Sequence, residues 1–272
     1  MEISQVSRGK PFPCIEPLWP ILSLKFCLQT QLQQALTSTY PTLNLAPQAI
    51  PLSPKITPFH VSYRCALAFK LASHCRQSPA QILTTLQPWL PQQCSFPNAV
   101  NLPLQLETTG SGWFTLTLAY GDLEPWRQAW MPQLAQQRQA LPPKKGITAP
   151  TPWSAYQYTH ARLCYWLTLL ESQDWSLPDP SLRLSPWPAS MQALLGQILA
   201  LIDELADQGG LSHPRLDNLC ALALAVIADY PLTYFQAEPN LQGAIMGLLN
   251  LAQYLLAYSL NRQGAYDVPT EL

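Results

Sequence analysis

Residues 141–152 hold four prolines, one glycine and the pair Lys144-Lys145 within twelve positions. Proline lacks an amide hydrogen and fixes φ, so neither a helix interior nor a central strand runs through such a stretch. The chain changes character across it. Before it, helical spacing alternates with period-two patterning; after it, every periodic segment has helical spacing. These patterns predict an extended arm over 1–20, an α+β domain over 21–140, a proline-rich linker over 141–152 and an all-α antiparallel helix bundle over 153–272. The chain as a whole is expected to be predominantly helical.

In the second part, Leu163, Trp166, Leu167 and Leu170 fall at i, i+3, i+4 and i+7, an apolar stripe that predicts a helix over 156–170. Over 191–208 a broader stripe runs through Met191, Leu194, Leu195, Ile198, Leu201, Ile202 and Leu205, with Ser190 placed to cap its start. Residues 219–228 are apolar on every side, which predicts that the helix over 216–230 lies at the centre of the bundle. A last helix is expected over 241–262. Its segment 243–260 carries no charge and approaches the length of a membrane span. Asn250, Gln253 and Ser259 interrupt it, and Ile245, Leu248, Leu249, Ala252, Leu255 and Leu256 form a one-sided stripe. A core helix is therefore expected, and no span.

In the first part, Leu24, Leu28, Leu32 and Leu36 predict a helix over 22–38. Five prolines over 41–58 leave only loop or edge strand. A helix is expected over 61–75. Ser78-Pro79-Ala80-Gln81 reads as a capping box with proline at the first helical position, opening a helix to about residue 90. Residues 101–119 alternate with period two around Gly110-Ser111-Gly112, a hairpin. A helix over 123–140, kinked at Pro132, closes this part.

Charged residues make up 11% of the chain and the formal net charge is −1. The fifteen basic residues are scattered, unlike the basic stripe of a dedicated nucleic-acid binder. Seven cysteines form an odd set without a Cys-x-x-Cys pair, and no apolar run follows a basic start, so reduced thiols in a cytoplasmic protein are expected. There is no Gly-x-x-x-x-Gly-Lys-Ser/Thr, Gly-x-Gly-x-x-Gly or Gly-x-Ser-x-Gly motif. His60 with Cys65, and His74 beside Cys75, fit no zinc spacing, so neither metal nor cofactor is expected. Asp203 and Glu204 are helical neighbours pointing about 100° apart, which reads as solvated surface rather than a paired acid and base.

One motif carries more information. Gln157-Tyr158-Thr159-His160-Ala161-Arg162 resembles the Gln-Tyr-Ala-His-Ala-Arg run that opens the DALR-type anticodon-binding bundle of arginyl-tRNA synthetases, with Thr159 in place of an alanine. Residues 112–118, Gly-Trp-Phe-Thr-Leu-Thr-Leu, resemble the Gly-Phe-Ile-Asn-Phe-x-Leu strand of that family's appended N-terminal domain. The run Ala66 through Ala72 is similar to its Ala-x-x-Leu-Ala-Lys helix. The C-terminal Val268-Pro269-Thr270-Glu271 echoes the family's Ala-Pro-Glu-Arg-Met ending. The resemblance extends in order from about Leu22 to Leu272. The family's catalytic domain, with its His-Ile-Gly-His and Lys-Met-Ser-Lys-Ser motifs, has no counterpart in the sequence. The resemblance thus implies a noncatalytic paralogue with tRNA-related binding, not an enzyme. In that role Arg162, Lys144 and Lys145 would meet phosphate and Tyr158 or His160 would stack on a base. The same motif side chains can instead fix the packing at the mouth of the bundle. A low charge and nine tryptophans equally suit an old scaffold reused as a protein-interaction or assembly factor.

Overall fold

The structure is a computed structural model that describes residues 23–57, 59–96, 100–123, 125–126, 153–171, 187–208, 212–230 and 239–262. The expected arm over 1–20, the linker with Lys144 and Lys145, nearly all of the expected helix over 123–140 and the C-terminal tail lie outside these residues.

Helix α1 (Leu24–Thr39) opens on Ser23, whose side chain accepts from the Phe26 amide. Leu24, Leu28, Leu32 and Leu36 are all fully buried, as the stripe predicts. After a 3₁₀ turn, β1 (Leu52–Ile56), β2 (His60–Cys65), β6 (Phe114–Ala119) and β5 (Gln105–Thr108) form a four-stranded antiparallel sheet in the order β1-β2-β6-β5. Pro54 sits in β1, an edge strand, where its missing amide costs no ladder bond on the open side. A separate ribbon pairs β3 (Gln93–Ser95) with β4 (Asn101–Pro103).

Residues 61–75 are not one helix. The first five complete β2, and only α2 (Leu67–Cys75) is helical. Val61, Tyr63 and Cys65 reach the core at period two and pair with Leu118, Leu116 and Phe114, themselves buried on the same face. Tertiary pairing of this β-branched and aromatic alternation overrides the helical pattern that begins at Ala66.

Helix α3 (Pro79–Leu86) starts with both halves of the capping box. Gln81 N donates to Ser78 Oγ at 3.3 Å and Ser78 N donates to Gln81 Oε1 at 2.9 Å. It ends sooner than expected, passing into a 3₁₀ turn at Gln87–Trp89. Pro88 brings no amide to prolong the helix. The hairpin between β5 and β6 turns at Gly112, whose φ of +100° suits glycine alone. A Cβ there would stand 2.5 Å from Pro79 Cβ, so the turn packs directly on the start of α3.

The bundle consists of α4 (Trp153–Glu171), α5 (Ala189–Gln208), α6 (His213–Asp229) and α7 (Pro239–Arg262). Every residue of the α5 stripe is buried. The helix starts at Ala189, so Ser190 lies inside it and is not its cap. The expectation that α6 is central is also corrected: Ala221 and Ala228 face solvent, and only Leu216, Leu219, Cys220, Ala223, Val226 and Ile227 are buried. Alanine is small enough to line an outer face at little cost, which hides the polarity of a helix from its sequence. The central helix is α7, which packs on α4, α5 and α6. By length and composition α5 and α7 could each cross a membrane, but 78% of the α7 window from Leu241 to Leu260 is buried inside the fold, as in a core helix.

The two parts share one hydrophobic core. Helix α5 packs on α1 and β1, with Gly196 bringing its backbone close to Ile56. Tyr120 stacks on Trp187 at 4.6 Å between ring centroids. At the rim, Lys25 Nζ lies 3.2 Å from Asp207 Oδ2.

Candidate nucleic-acid interface on the first bundle helix

Helix α4 carries the Tyr-x-His-Ala-Arg motif and divides it between two faces. Tyr158 is 52% exposed and Tyr165 is 50% exposed. At 100° per residue, Tyr158, Arg162 and Tyr165 occupy one sector about 60° wide. Arg162 is partly buried, and its Nε has no hydrogen-bond partner among the described residues. The Nε atom itself is buried, so of this sector the two tyrosine rings are the parts that stand half exposed.

His160 points the other way and is only 1% exposed. Gln253 Nε2, from the central helix α7, lies 2.8 Å from His160 Nε2. A side-chain amide nitrogen only donates, so this contact assigns His160 Nε2 as acceptor and the proton to Nδ1. Gln253 Nε2 also reaches Cys164 Sγ at 3.5 Å, and that sulfur lies 3.7 Å from His160 Nδ1. One turn earlier, the Tyr156 hydroxyl donates to Asp217 Oδ1 at 2.8 Å on α6, and its ring stacks on His213. Burial, and then the Asp217 carboxylate, push the Tyr156 hydroxyl pKa up. Tyr156, just before the motif, and His160 within it thus tie α4 to α6 and α7.

Of the candidate residues, the structure puts Tyr158 and the partly buried Arg162 in one sector of α4 and places His160 in the core. Lys144 and Lys145 lie outside the described residues. Tyr165, seven positions from Tyr158, was not picked out by sequence reasoning, although an aromatic opposite the apolar stripe was a usable signal.

A second aromatic and basic group escaped sequence reasoning too. Arg64 Cζ stands 4.0 Å over the Trp113 ring, and Phe69 lies 5.0 Å from the same ring. Arg64 is on the sheet face opposite the core, because Val61, Tyr63 and Cys65 take the inner one.

Asp203 and Glu204 are not solvated surface. Asp203 is buried and accepts from Ser23 Oγ at 2.7 Å; its carboxyl is pushed up to about 6, chiefly by burial. Glu204 Oε2 lies 2.9 Å from Arg215 Nε on α6. Neighbouring elements cover both flanks of α5, α1 on one side and α6 on the other, so a 100° separation still leaves both acids against protein. Among the described residues no group of three or more His, Cys, Asp and Glu side chains could hold a metal ion. No protein-family model matches the chain, and none of the curated proteins or solved structures compared with it matches either.

Proposed function

We propose that the chain is a noncatalytic RNA-binding module, a relative of arginyl-tRNA synthetases with a DALR-type bundle, that meets tRNA along Tyr158, Arg162 and Tyr165. The observation that carries this reading is the pair of half-exposed tyrosines that share one helix sector with the partly buried Arg162. Aromatic faces stack on unpaired bases and arginine takes phosphate, whatever the sequence of the strand. His160 supports the strip from inside by anchoring α4 to α7. Arginine activation is absent from this reading, since neither of the ATP-holding motifs of the synthetases occurs in the sequence.

With sixteen acids against fifteen bases, few phosphates are neutralised at once. If two or three are contacted, log affinity falls with log salt at a slope of about −2 to −3, and binding at physiological ionic strength is micromolar or weaker. Titration of labelled total tRNA at two salt concentrations tests this. Salt-dependent binding that weakens in Arg162→Ala supports the reading, provided the variant keeps its helical fold. No binding to the intact chain at either salt concentration overturns it. Arginine-dependent pyrophosphate exchange above a no-enzyme control would refute the noncatalytic part.

A second reading rests on other exposed side chains. Phe59, Phe69 and Trp89 are exposed large apolar side chains in the α+β part, and such residues suit a protein partner. A stoichiometric protein recovered from native extract by the intact chain, and lost with Trp89→Ala, would favour an assembly factor over an RNA binder.

A further inference from the structure

Cys94 Sγ lies 3.2 Å from Cys27 Sγ, although the two residues are 67 positions apart in sequence. The Cys94 thiol donates to the Cys27 sulfur, and the Cys27 thiol donates to the Ser95 carbonyl at 3.1 Å. Both cysteines are free, on different elements, α1 and β3. A disulfide holds its sulfurs about 2.05 Å apart, so a shift of roughly 1.2 Å joins this pair. Nothing in the proposed RNA contact uses these thiols.

We propose that Cys27 and Cys94 form an oxidisable pair that closes to a disulfide in the presence of a peroxide, fastening α1 to the β3–β4 ribbon. Cys27 is 8% exposed and Cys94 is 0% exposed, which orders the steps. The Cys27 sulfur takes an oxygen atom from hydrogen peroxide and becomes a sulfenic acid, releasing one water. The Cys94 sulfur then attacks the Cys27 sulfur; the S–S bond forms, the S–O bond breaks, and a second water leaves with the Cys94 proton. Two thiols and one peroxide become one disulfide and two waters, the sulfurs together losing two electrons and the peroxide gaining them. The hydrogen bond to Cys27, and then burial, raise the Cys94 thiol pKa far above its ordinary value. Cys94 therefore keeps its proton until Cys27 has been oxidised, and closure is slow at neutral pH. In a reducing compartment both remain thiols, and the pair responds to oxidant rather than serving as a standing bridge.

Closing so long a loop restricts the unfolded chain, and for a chain of this size the expected gain is an upward Tm shift of about 5–10 °C. The experiment treats the intact protein with graded hydrogen peroxide, blocks remaining thiols with iodoacetamide under denaturing conditions, and maps peptides without reduction. The expected result is a cross-linked peptide pair containing Cys27 and Cys94, with the higher Tm reversed by dithiothreitol. A parallel Cys94→Ala sample should trap the sulfenic acid on Cys27, read by dimedone labelling. The wild-type peptide map decides the matter even if that variant fails to fold. Full alkylation of both cysteines after a treatment that oxidises free glutathione, or a cross-link joining other cysteines instead, overturns the proposal.

Discussion

Ser23 and Asp203 are 180 positions apart in the chain and 2.7 Å apart in space, the serine hydroxyl donating to Oδ1 of the carboxylate. The same serine oxygen accepts the Phe26 amide at 2.9 Å as the N-cap of α1. One side-chain oxygen thus caps the start of a helix in the α+β part and satisfies a buried acid in the bundle. Ser23→Ala removes both interactions and leaves a carboxylate without its donor. A loss of about 2–3 kcal/mol is expected, the sum of a lost cap and an orphaned acceptor. Urea unfolding of the variant measures it. A loss under about 0.5 kcal/mol, the range of ordinary surface substitutions, would mean that this junction contributes nothing beyond them.

Asp203 also gives the fold a pH dependence of definite sign. Its folded pKa of about 6 lies above the ordinary carboxyl value, because burial outweighs the favourable Ser23, Lys25 and Arg215 contributions, and Asp207 adds to the rise. A raised carboxyl contributes stability in its neutral form. That contribution is fully present below pH 4 and is lost as pH climbs through about 6. Wild type should therefore lose about 2 kcal/mol relative to Asp203→Asn between pH 4 and pH 7. Paired denaturation curves across that range read the difference, and a constant difference would show that the carboxyl titrates as it does in the unfolded chain.

Gly112 makes a third case. Its φ of +100° and the 2.5 Å that would separate an added Cβ from Pro79 act together, so alanine meets both strain and collision. Gly112→Ala should cost about 2–4 kcal/mol, whereas Gly110→Ala, with nothing within 4 Å of its Cβ, should cost less than about 1. Equal melting temperatures for the two variants would contradict the packing of the hairpin on α3.

Several local patterns carry from the sequence to the structure, although the Ser190 cap and the far end of α3 do not. The leucine stripe of α1, the Ser78–Gln81 capping box and the Gly110–Gly112 turn all rest on residues within a few positions of one another. Failure begins where the deciding partner is distant. Val61 to Cys65 becomes a strand because β6 supplies its other edge. The short β3–β4 ribbon, with three residues on each side, has too little alternation to announce itself. Asp203 reads as surface because nothing near it in sequence reveals that Ser23 will cover it. The same limit applies to the motif on α4: the resemblance marks Tyr158, His160 and Arg162 together, but only the position of Gln253 separates the inward His160 from the exposed Tyr158.

That separation is testable by asking stability and RNA binding of the same variants. His160 is buried against Gln253 and Cys164, so His160→Ala leaves a cavity and an amide without its acceptor. A destabilisation of about 2–4 kcal/mol is expected, with weaker binding only as far as the fold is lost. Tyr158 and Tyr165 are half exposed, so replacing either by alanine should change stability by no more than about 0.5 kcal/mol. If each ring stacks on a base, either substitution should weaken tRNA binding by roughly five- to a hundredfold, since a stacked base contributes about 1–3 kcal/mol. Denaturant unfolding and tRNA titration on each variant separate the two effects. A stable His160→Ala protein would remove its anchoring role. Unchanged affinity in the double variant Tyr158→Ala, Tyr165→Ala would remove the α4 strip from the RNA contact, whatever the intact chain binds.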